Sequence, residues 1–132
     1  MDMAAFNLPM LAHLLIGFYF VFFAFWNIYH WSPLLSALSE DNLPHPYLLL
    51  PIGIGWQFIA GLMIILGIWV KLAALSLIPF ILIGVFICHP FWKHKGNLYA
   101  LNLTIFMANT TMGIGALLLL IYPVSTMADF FS

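Results

Sequence analysis

The chain has 132 residues, of which 65% are hydrophobic and only 5% are charged, and its formal net charge is -1. Soluble domains carry roughly 25% charged residues, so this composition excludes a water-soluble surface and predicts a membrane protein. The absence of a basic excess excludes a nucleic-acid-binding role, which requires a positively charged face. The single cysteine, Cys88, excludes an intrachain disulfide and CxxC redox or zinc motifs.

Four apolar runs are each long enough to cross a bilayer, which takes about 20 residues in a helix. They are predicted at residues 9–30, 47–69, 72–90 and 98–122. The predicted fold is therefore an all-α membrane protein, an antiparallel bundle of four transmembrane helices forming one domain over residues 1–132. Its connections are short except for a longer first loop.

The first predicted span carries its small and polar residues on one helical face, opposite a face of phenylalanine and leucine. They recur at steps of three, four and seven residues: His13, Gly17, Ala24, Asn27 and then His30 or Trp31. In a bilayer such a face turns toward the other helices and leaves the apolar side to lipid.

The long first connection has two interpretations that the pattern leaves open. Its leucines at 34, 35 and 38 suit a short helix along the membrane interface, with Ser32 as N-cap and Pro33 at the first position. The alternative is a plain surface loop. Glu40 and Asp41 make this connection acidic in either case.

The second span carries Gly53, Gln57 and Gly61 at four-residue spacing, a pattern typical of closely packed membrane helices. Gln57 lies about 15 Å along this helix at 1.5 Å per residue, so its amide is expected near the middle of the hydrocarbon and needs a partner. Trp69 and Lys71 end the second span, and few residues separate Lys71 from the third span, which predicts a tight antiparallel hairpin of the two.

The third and fourth spans each carry one interpretable feature. Pro79 lies inside the third span and is expected to kink it. In the fourth span Asn102, Asn109 and Gly113 share one helical face.

An antiparallel bundle brings the first and third connections to one side of the membrane, which we call the histidine face. Four of the five histidines are expected there, His30, His45, His89 and His94, together with Trp31, Trp92, Glu40 and Asp41. Just beneath them the amides of Asn27, Gln57 and Asn102 are expected. The sequence therefore predicts a polar pocket open to the histidine face.

The third span closes on a His-x-Phe-Trp sequence at 89–92, and Asn-Leu follows at 102–103. With the polar turn at Asn27 and the glycine-rich second span, GIGWQFIAGLMIILGIWVKLAAL, this layout resembles the DoxX family of small four-helix membrane proteins. The resemblance runs from about residue 13 to 120. Family members often carry an acidic residue where this chain has Gln57 and a lysine near Asn27, so a neutral amide pair stands here in place of an ion pair.

The resemblance implies a membrane redox role, since DoxX-like proteins are linked to quinone-coupled sulfur oxidation and oxidative-stress complexes. It also implies a bacterial inner membrane with both termini cytoplasmic. The lysines favour the opposite orientation, because Lys93 and Lys95 lie on the histidine face and only Lys71 on the other. We adopt the family's orientation as the expectation.

The leading hypothesis is an accessory subunit of a membrane redox system with a pocket for a quinone-like or other lipid-soluble ligand. The predicted ligand-binding residues are Asn27, His30, Trp56, Gln57, His89, Trp92 and Asn102. His89 and His30 would donate hydrogen bonds to a ring oxygen and pass protons, the amides would orient the ring, and a tryptophan would contact its face. No metal site is predicted, because no HxxxH, HExxH or CxxC spacing occurs. Haem ligation by His30 and His89 is a less favoured alternative.

Each of these residues also has a structural interpretation. A histidine at a helix end can hydrogen-bond at the interface, and buried amides can form interhelical hydrogen bonds worth roughly 0.6–2 kcal/mol. Tryptophans commonly anchor helices at the membrane surface, and Cys88 is expected to be buried and inert. The competing hypothesis is therefore a non-catalytic scaffold or assembly factor in contact with lipid, a larger membrane partner or further copies of itself. Solute transport by an oligomer ranks last. No self-contained catalytic motif is present, so an enzymatic role is left open.

Overall fold

The computed structural model describes residues 8–40, 44–122 and 126–131, so Asp41 lies outside the described residues. All regular secondary structure in these ranges is helical. The α-helices are α1 (Leu8–Tyr29), α2 (Trp31–Glu40), α3 (Pro46–Leu66), α4 (Val70–Cys88), α5 (Asn97–Ala108) and α6 (Ile114–Ile121). Two short 3-10 helices cover Phe91–Lys93 and Met127–Phe131, and a π-helical turn, Asn109–Gly113, joins α5 to α6.

Within the described residues, four stretches are long and apolar enough to cross a membrane: Leu8–Tyr29, Pro46–Leu66, Val70–Lys93 and Asn97–Ile121. The last, which we call the fourth span, comprises α5, the π turn and α6. The predicted all-α membrane fold with four spans is confirmed. Many large apolar side chains on the outside of these helices are exposed, and in a bilayer they contact lipid.

The hairpin predicted between the second and third spans is present, but its turn begins earlier than expected. α3 ends at Leu66, and Gly67 follows in the left-handed conformation with φ 75°. The amide of Ile68 closes the helix end by donating to the carbonyl of Met63 at 2.9 Å. Trp69 and Lys71, expected at the end of the second span, therefore lie in the turn and in α4. α4 continues unbroken through Pro79.

α1 and α3 approach so closely that only glycine fits at their contact. A Cβ added to Gly17 would lie 2.7 Å from the carbonyl oxygen of Gly61, and one added to Gly61 would lie 3.0 Å from that of Gly17. Gly53, predicted on the same stripe, has only a side-chain atom of Phe80 at 3.9 Å. The close-packing prediction therefore holds at Gly61 and has no counterpart at Gly53.

The first connection forms a helix, so the helical interpretation is correct. α2 begins at Trp31, directly after a turn at His30, and Ser32 lies inside its first turn; the predicted N-cap at Ser32 is therefore wrong. The reason is that the backbone continues from α1 with little interruption, with the amide of Leu34 donating to the carbonyl of His30. Leu38 is buried in a small core with Ala24, Leu50 and Ile54.

The spans pack in a row. α1 packs mainly on α3, α3 on α4, and α4 on α6. The larger core lies along this row, with Ile64, Leu77 and Leu117 fully buried. α1 and the fourth span, the first and last in this order, face each other but pack only loosely together.

Candidate functional site

The directions of the four spans place the residues of the predicted histidine face at one end of the bundle. α1 and α4 end on this side, and α3 and α5 begin there, so His30, His45, His89 and His94 lie at the same end of the bundle. In the described part of the chain, only His89 among these four makes a side-chain hydrogen bond to another helix.

His89 is fixed by Asn102 across the turn between α4 and α5. Its Nδ1 lies 3.0 Å from Asn102 Oδ1, while Asn102 Nδ2 donates to the carbonyl of Leu98 at 2.9 Å. Because the amide nitrogen is the donor to Leu98, Oδ1 is an acceptor and His89 Nδ1 must carry the hydrogen. In the neutral ring Nε2 is then an acceptor without a proton. This atom has no hydrogen-bond partner among the described residues and is not fully buried, so it reaches the surface.

Asn27 and Gln57 form a second interhelical pair, between α1 and α3. Asn27 Nδ2 donates to Gln57 Oε1 at 3.0 Å, and the Gln57 side chain is only 5% exposed. Gln57, whose predicted depth in the membrane requires a hydrogen-bond partner, therefore has one in Asn27. Among the described residues, Gln57 Nε2 and Asn27 Oδ1 have no hydrogen-bond partner. Neither of these two side-chain atoms is fully buried.

His30 is held by its own helix. Its Nδ1 lies 2.9 Å from the carbonyl oxygen of Trp26, and its ring stacks on the Trp26 ring with centroids 4.3 Å apart. Among the described residues, no hydrogen bond or ring contact joins His30 to His89 or to Gln57. Four of the predicted site residues therefore form two separate pairs, His89 with Asn102 and Asn27 with Gln57. His30 belongs to neither pair.

The two tryptophans of the predicted site have packing partners. Trp56 Nε1 donates to Ser76 Oγ at 3.2 Å, which links α3 to α4, and its ring meets Phe80 edge-on at 5.4 Å. Trp92 packs on a group of aromatic rings that includes Phe86 and Phe106, with centroids 5.7 and 6.0 Å away. Half of the Trp92 surface remains exposed.

Cys88 is exposed, so the expected burial of its thiol is wrong. It is the last residue of α4, and the buried face of that helix stops one turn earlier, at Val85. Among the described residues, no group of three or more histidine, cysteine or acidic side chains is arranged to hold a metal ion.

One polar contact, halfway along the spans, was not predicted from the sequence. Tyr19 OH donates to Asn109 Oδ1 at 3.1 Å, which connects α1 to the π turn. Both residues line a cavity of about 330 Å³ between α1 and the fourth span. A shallow groove on the outer surface of α1 passes Phe22 and Trp26. Neither the cavity nor this groove is lined by any of the seven predicted ligand-binding residues, apart from Trp26's neighbourhood on α1 itself.

A signal for the Tyr19 contact was present in the sequence. Tyr19 carries the one hydroxyl in the aromatic run FYFVFFAF, and Asn109 is on the polar face of the fourth span. Neither observation alone predicts that the two side chains meet.

A family model described as DoxX matches residues 8–90, well over half of the chain. The chain belongs to the DoxX family. The match covers the first three spans of this DoxX protein and includes Asn27, Gln57 and His89, whereas Trp92 and Asn102 lie beyond it. Comparison with curated proteins and with solved structures gives no significant match. Family and helices together identify a multi-pass membrane protein.

Proposed function

We propose that this DoxX-family protein is an accessory subunit of a redox system in the bacterial inner membrane. Its histidine face would bind the oxygen of a quinone-like or other lipid-soluble ligand. The observation that carries the proposal is the His89 ring, whose Nδ1–H is held by Asn102 and whose Nε2 is left at the surface as an acceptor.

The fixed tautomer suits proton exchange with a reduced ligand. A ligand hydroxyl can donate to Nε2 and transfer its proton there, and the resulting imidazolium can donate the same proton to a carbonyl oxygen. The Asn102 oxygen continues to accept from Nδ1 in both states, so the ring keeps its orientation. The exposed half of Trp92, on the same turn, is available to contact the face of a ligand ring.

The Asn27–Gln57 pair supports the proposal in a more limited way. It offers amide hydrogens on Gln57 and a carbonyl oxygen on Asn27 that the protein itself leaves unpaired. Polar groups within a membrane that keep unused hydrogen-bonding capacity commonly mark ligand sites. In this arrangement His30 would contribute through its Nε2, since its Nδ1 is bonded to the carbonyl of Trp26.

The test is titration of the purified protein in lipid nanodiscs with a short-chain ubiquinone analogue, followed by quenching of tryptophan fluorescence. We expect saturable binding, weakened about tenfold or more by His89→Ala, which corresponds to at least 1.4 kcal/mol. His94→Ala is the matched control, because it removes a histidine from the same face without touching Asn102. Binding that does not saturate, or that is equally strong in both variants, would refute the quinone site.

A scaffold role is the second candidate, and the packing of the spans favours it. Few residues of α1 and of the fourth span are buried, and the side between these two helices is loosely packed, which leaves apolar surface for a membrane partner. The double variant His30→Ala/His89→Ala separates the two functions. Loss of redox activity with intact assembly favours the ligand site, whereas loss of assembly with unchanged ligand binding favours the scaffold.

A further inference from the structure

The cavity between α1 and the fourth span lies halfway along both spans, at the depth expected for the middle of the membrane. Tyr19 is the twelfth of the 22 residues of α1, and Asn109 is the thirteenth of the 25 residues from Asn97 to Ile121. At 1.5 Å per residue both are about 16–18 Å from the start of their spans, close to half of a hydrocarbon core roughly 30 Å thick. The Tyr19–Asn109 hydrogen bond therefore lies where a lipid chain offers no polar partner.

This polar pair has hydrogen-bonding capacity left over. Asn109 Oδ1 accepts from Tyr19 OH, and Asn109 Nδ2 donates one hydrogen to the carbonyl of Ile105 at 2.9 Å. The second Nδ2 hydrogen and the lone pairs of the Tyr19 oxygen have no partner among the described residues. Unsatisfied polar groups cost several kcal/mol in hydrocarbon, so a bound polar atom would stabilise this site.

The backbone at the cavity is specialised, which is an independent observation. The π turn replaces the usual four-residue hydrogen bonding with five-residue bonding at Asn109–Gly113. Three consecutive side chains, on Asn109, Thr110 and Thr111, donate to the carbonyls four residues earlier. These side-chain hydrogen bonds add to the backbone ones, since the backbone N–H of Asn109 also donates to the carbonyl of Ile105. Such π turns occur frequently at functional sites.

The cavity walls define the chemistry of an occupant. They carry no charged side chain; Leu15, Phe20, Met112 and Ala116 line the cavity beside Tyr19 and Asn109. A charged ligand would lose its hydration there without an ionic partner, so the occupant must be neutral. The volume of about 330 Å³ is at the small end of ligand cavities and suits a single ring system, which aromatic and thioether walls also favour.

We propose that this cavity binds an uncharged, lipid-soluble ring compound with one hydroxyl or carbonyl oxygen, which pairs with Tyr19 and Asn109. The site is open sideways to the bilayer and is separate from the histidine face, so the proposal does not rest on the function proposed above. Tyr19 and Asn109 act as the polar contact, and the apolar walls select against water-soluble molecules.

The experiment uses two photoreactive probes that differ by one group. One is an alkylphenol with a diazirine on its alkyl chain, and the other is the same alkylbenzene without the hydroxyl. The full chain in phospholipid nanodiscs is irradiated with each, and labelled residues are mapped by peptide mass spectrometry. We expect labels on cavity residues such as Met112 and Leu15, roughly fivefold more with the phenol, as one hydrogen bond within a membrane would give.

Three variants decide whether the polar pair causes that preference. Tyr19→Phe removes only the hydroxyl and keeps the packing ring, and Asn109→Leu removes the amide; each is expected to abolish the preference for the phenol. Thr104→Val is the matched control, because Thr104 lies on the same span and bonds only to its own helix, at the carbonyl of Ala100. Equal labelling by both probes in the unmodified protein would show a plain lipid groove and overturn the proposal. A preference that survives in Tyr19→Phe would overturn it as well.

Discussion

Gly17 and Gly61 lie against each other's carbonyl oxygens, at the point where α1 and α3 cross most closely. A Cβ on Gly17 would approach backbone atoms of α3, which cannot rotate away as a flexible side chain would. This contact fixes the separation of the two helices, and the Asn27–Gln57 hydrogen bond joins the same helices nearer the histidine face. The crossing therefore determines whether the two amides can reach each other.

Gly17→Ala should lower the free energy of unfolding by about 1–3 kcal/mol, because the added methyl overpacks the crossing. Gly84→Ala is the matched control: nothing lies within 4 Å of the added Cβ, so the higher helix propensity of alanine should leave stability equal or raise it by up to about 1 kcal/mol. Unfolding in mixed detergent micelles, followed by circular dichroism, measures both. Equal effects of the two substitutions would contradict the proposed crossing.

The Asn27–Gln57 bond should appear as a coupling energy in a double-mutant cycle. Asn27→Leu and Gln57→Leu each leave one unpaired amide, whereas the double variant leaves none, so the coupling should be about 0.6–1.7 kcal/mol. A cycle that combines Gln57→Leu with Thr104→Val, on a helix that does not contact Gln57 through a hydrogen bond, should give a coupling near zero. A coupling near zero for the amide pair would rule out this contact in the membrane.

Asn102→Leu should allow the neutral His89 ring to adopt either tautomer. With Asn102 present, the neutral His89 ring carries its hydrogen on Nδ1; without it, the hydrogen can move to Nε2. Nitrogen chemical shifts of the ¹⁵N-labelled histidine side chains distinguish the two tautomers. His45 and His94 serve as internal controls, since neither contacts Asn102 through a hydrogen bond. An unchanged His89 signal in the variant would mean that Asn102 does not orient the ring.

The π turn should depend on the three side chains that donate to the backbone carbonyls one turn before it. The triple variant Asn109→Leu/Thr110→Val/Thr111→Val should relax toward a regular α-helix, since no side-chain donor then favours the wider turn. Carbonyl ¹³C shifts of Ile105, Phe106 and Met107 report the change. Thr104→Val removes a similar bond from a regular part of α5 and should leave those shifts unaltered. If the triple variant kept the π turn, tertiary packing and not these three side chains would be its cause.

The spans were predictable because about 20 consecutive apolar residues have few alternatives to a membrane helix. The partner of Gln57 was also predictable in kind, since a deeply placed amide must be satisfied, and depth along the helices leaves few candidates. The packing of α2 was not: its leucines suit a lipid interface and a protein core equally well, and only the nearby Ala24 and Leu50 decide between them.

The side-chain partners of the histidines could not be predicted from the sequence. Sequence fixes how deep a residue lies in the membrane more closely than it fixes the rotation of its helix or its side-chain conformer. His30 and His89 lie at one end of the bundle, as predicted, yet His30 bonds to the carbonyl of Trp26 and His89 bonds across to another helix. The π turn was not predicted either, because hydropathy does not distinguish four-residue from five-residue backbone hydrogen bonding.

The larger core contains only one buried residue from α1, Phe20, and draws its other members from the remaining spans. α1 is nevertheless joined to the rest of the protein by its glycine crossing and amide hydrogen bond with α3, and by the hydrogen bond from Tyr19 to the fourth span. Pulling on the amino-terminal end should therefore load the α1–α3 contact first, so the force needed to detach α1 reports on that crossing.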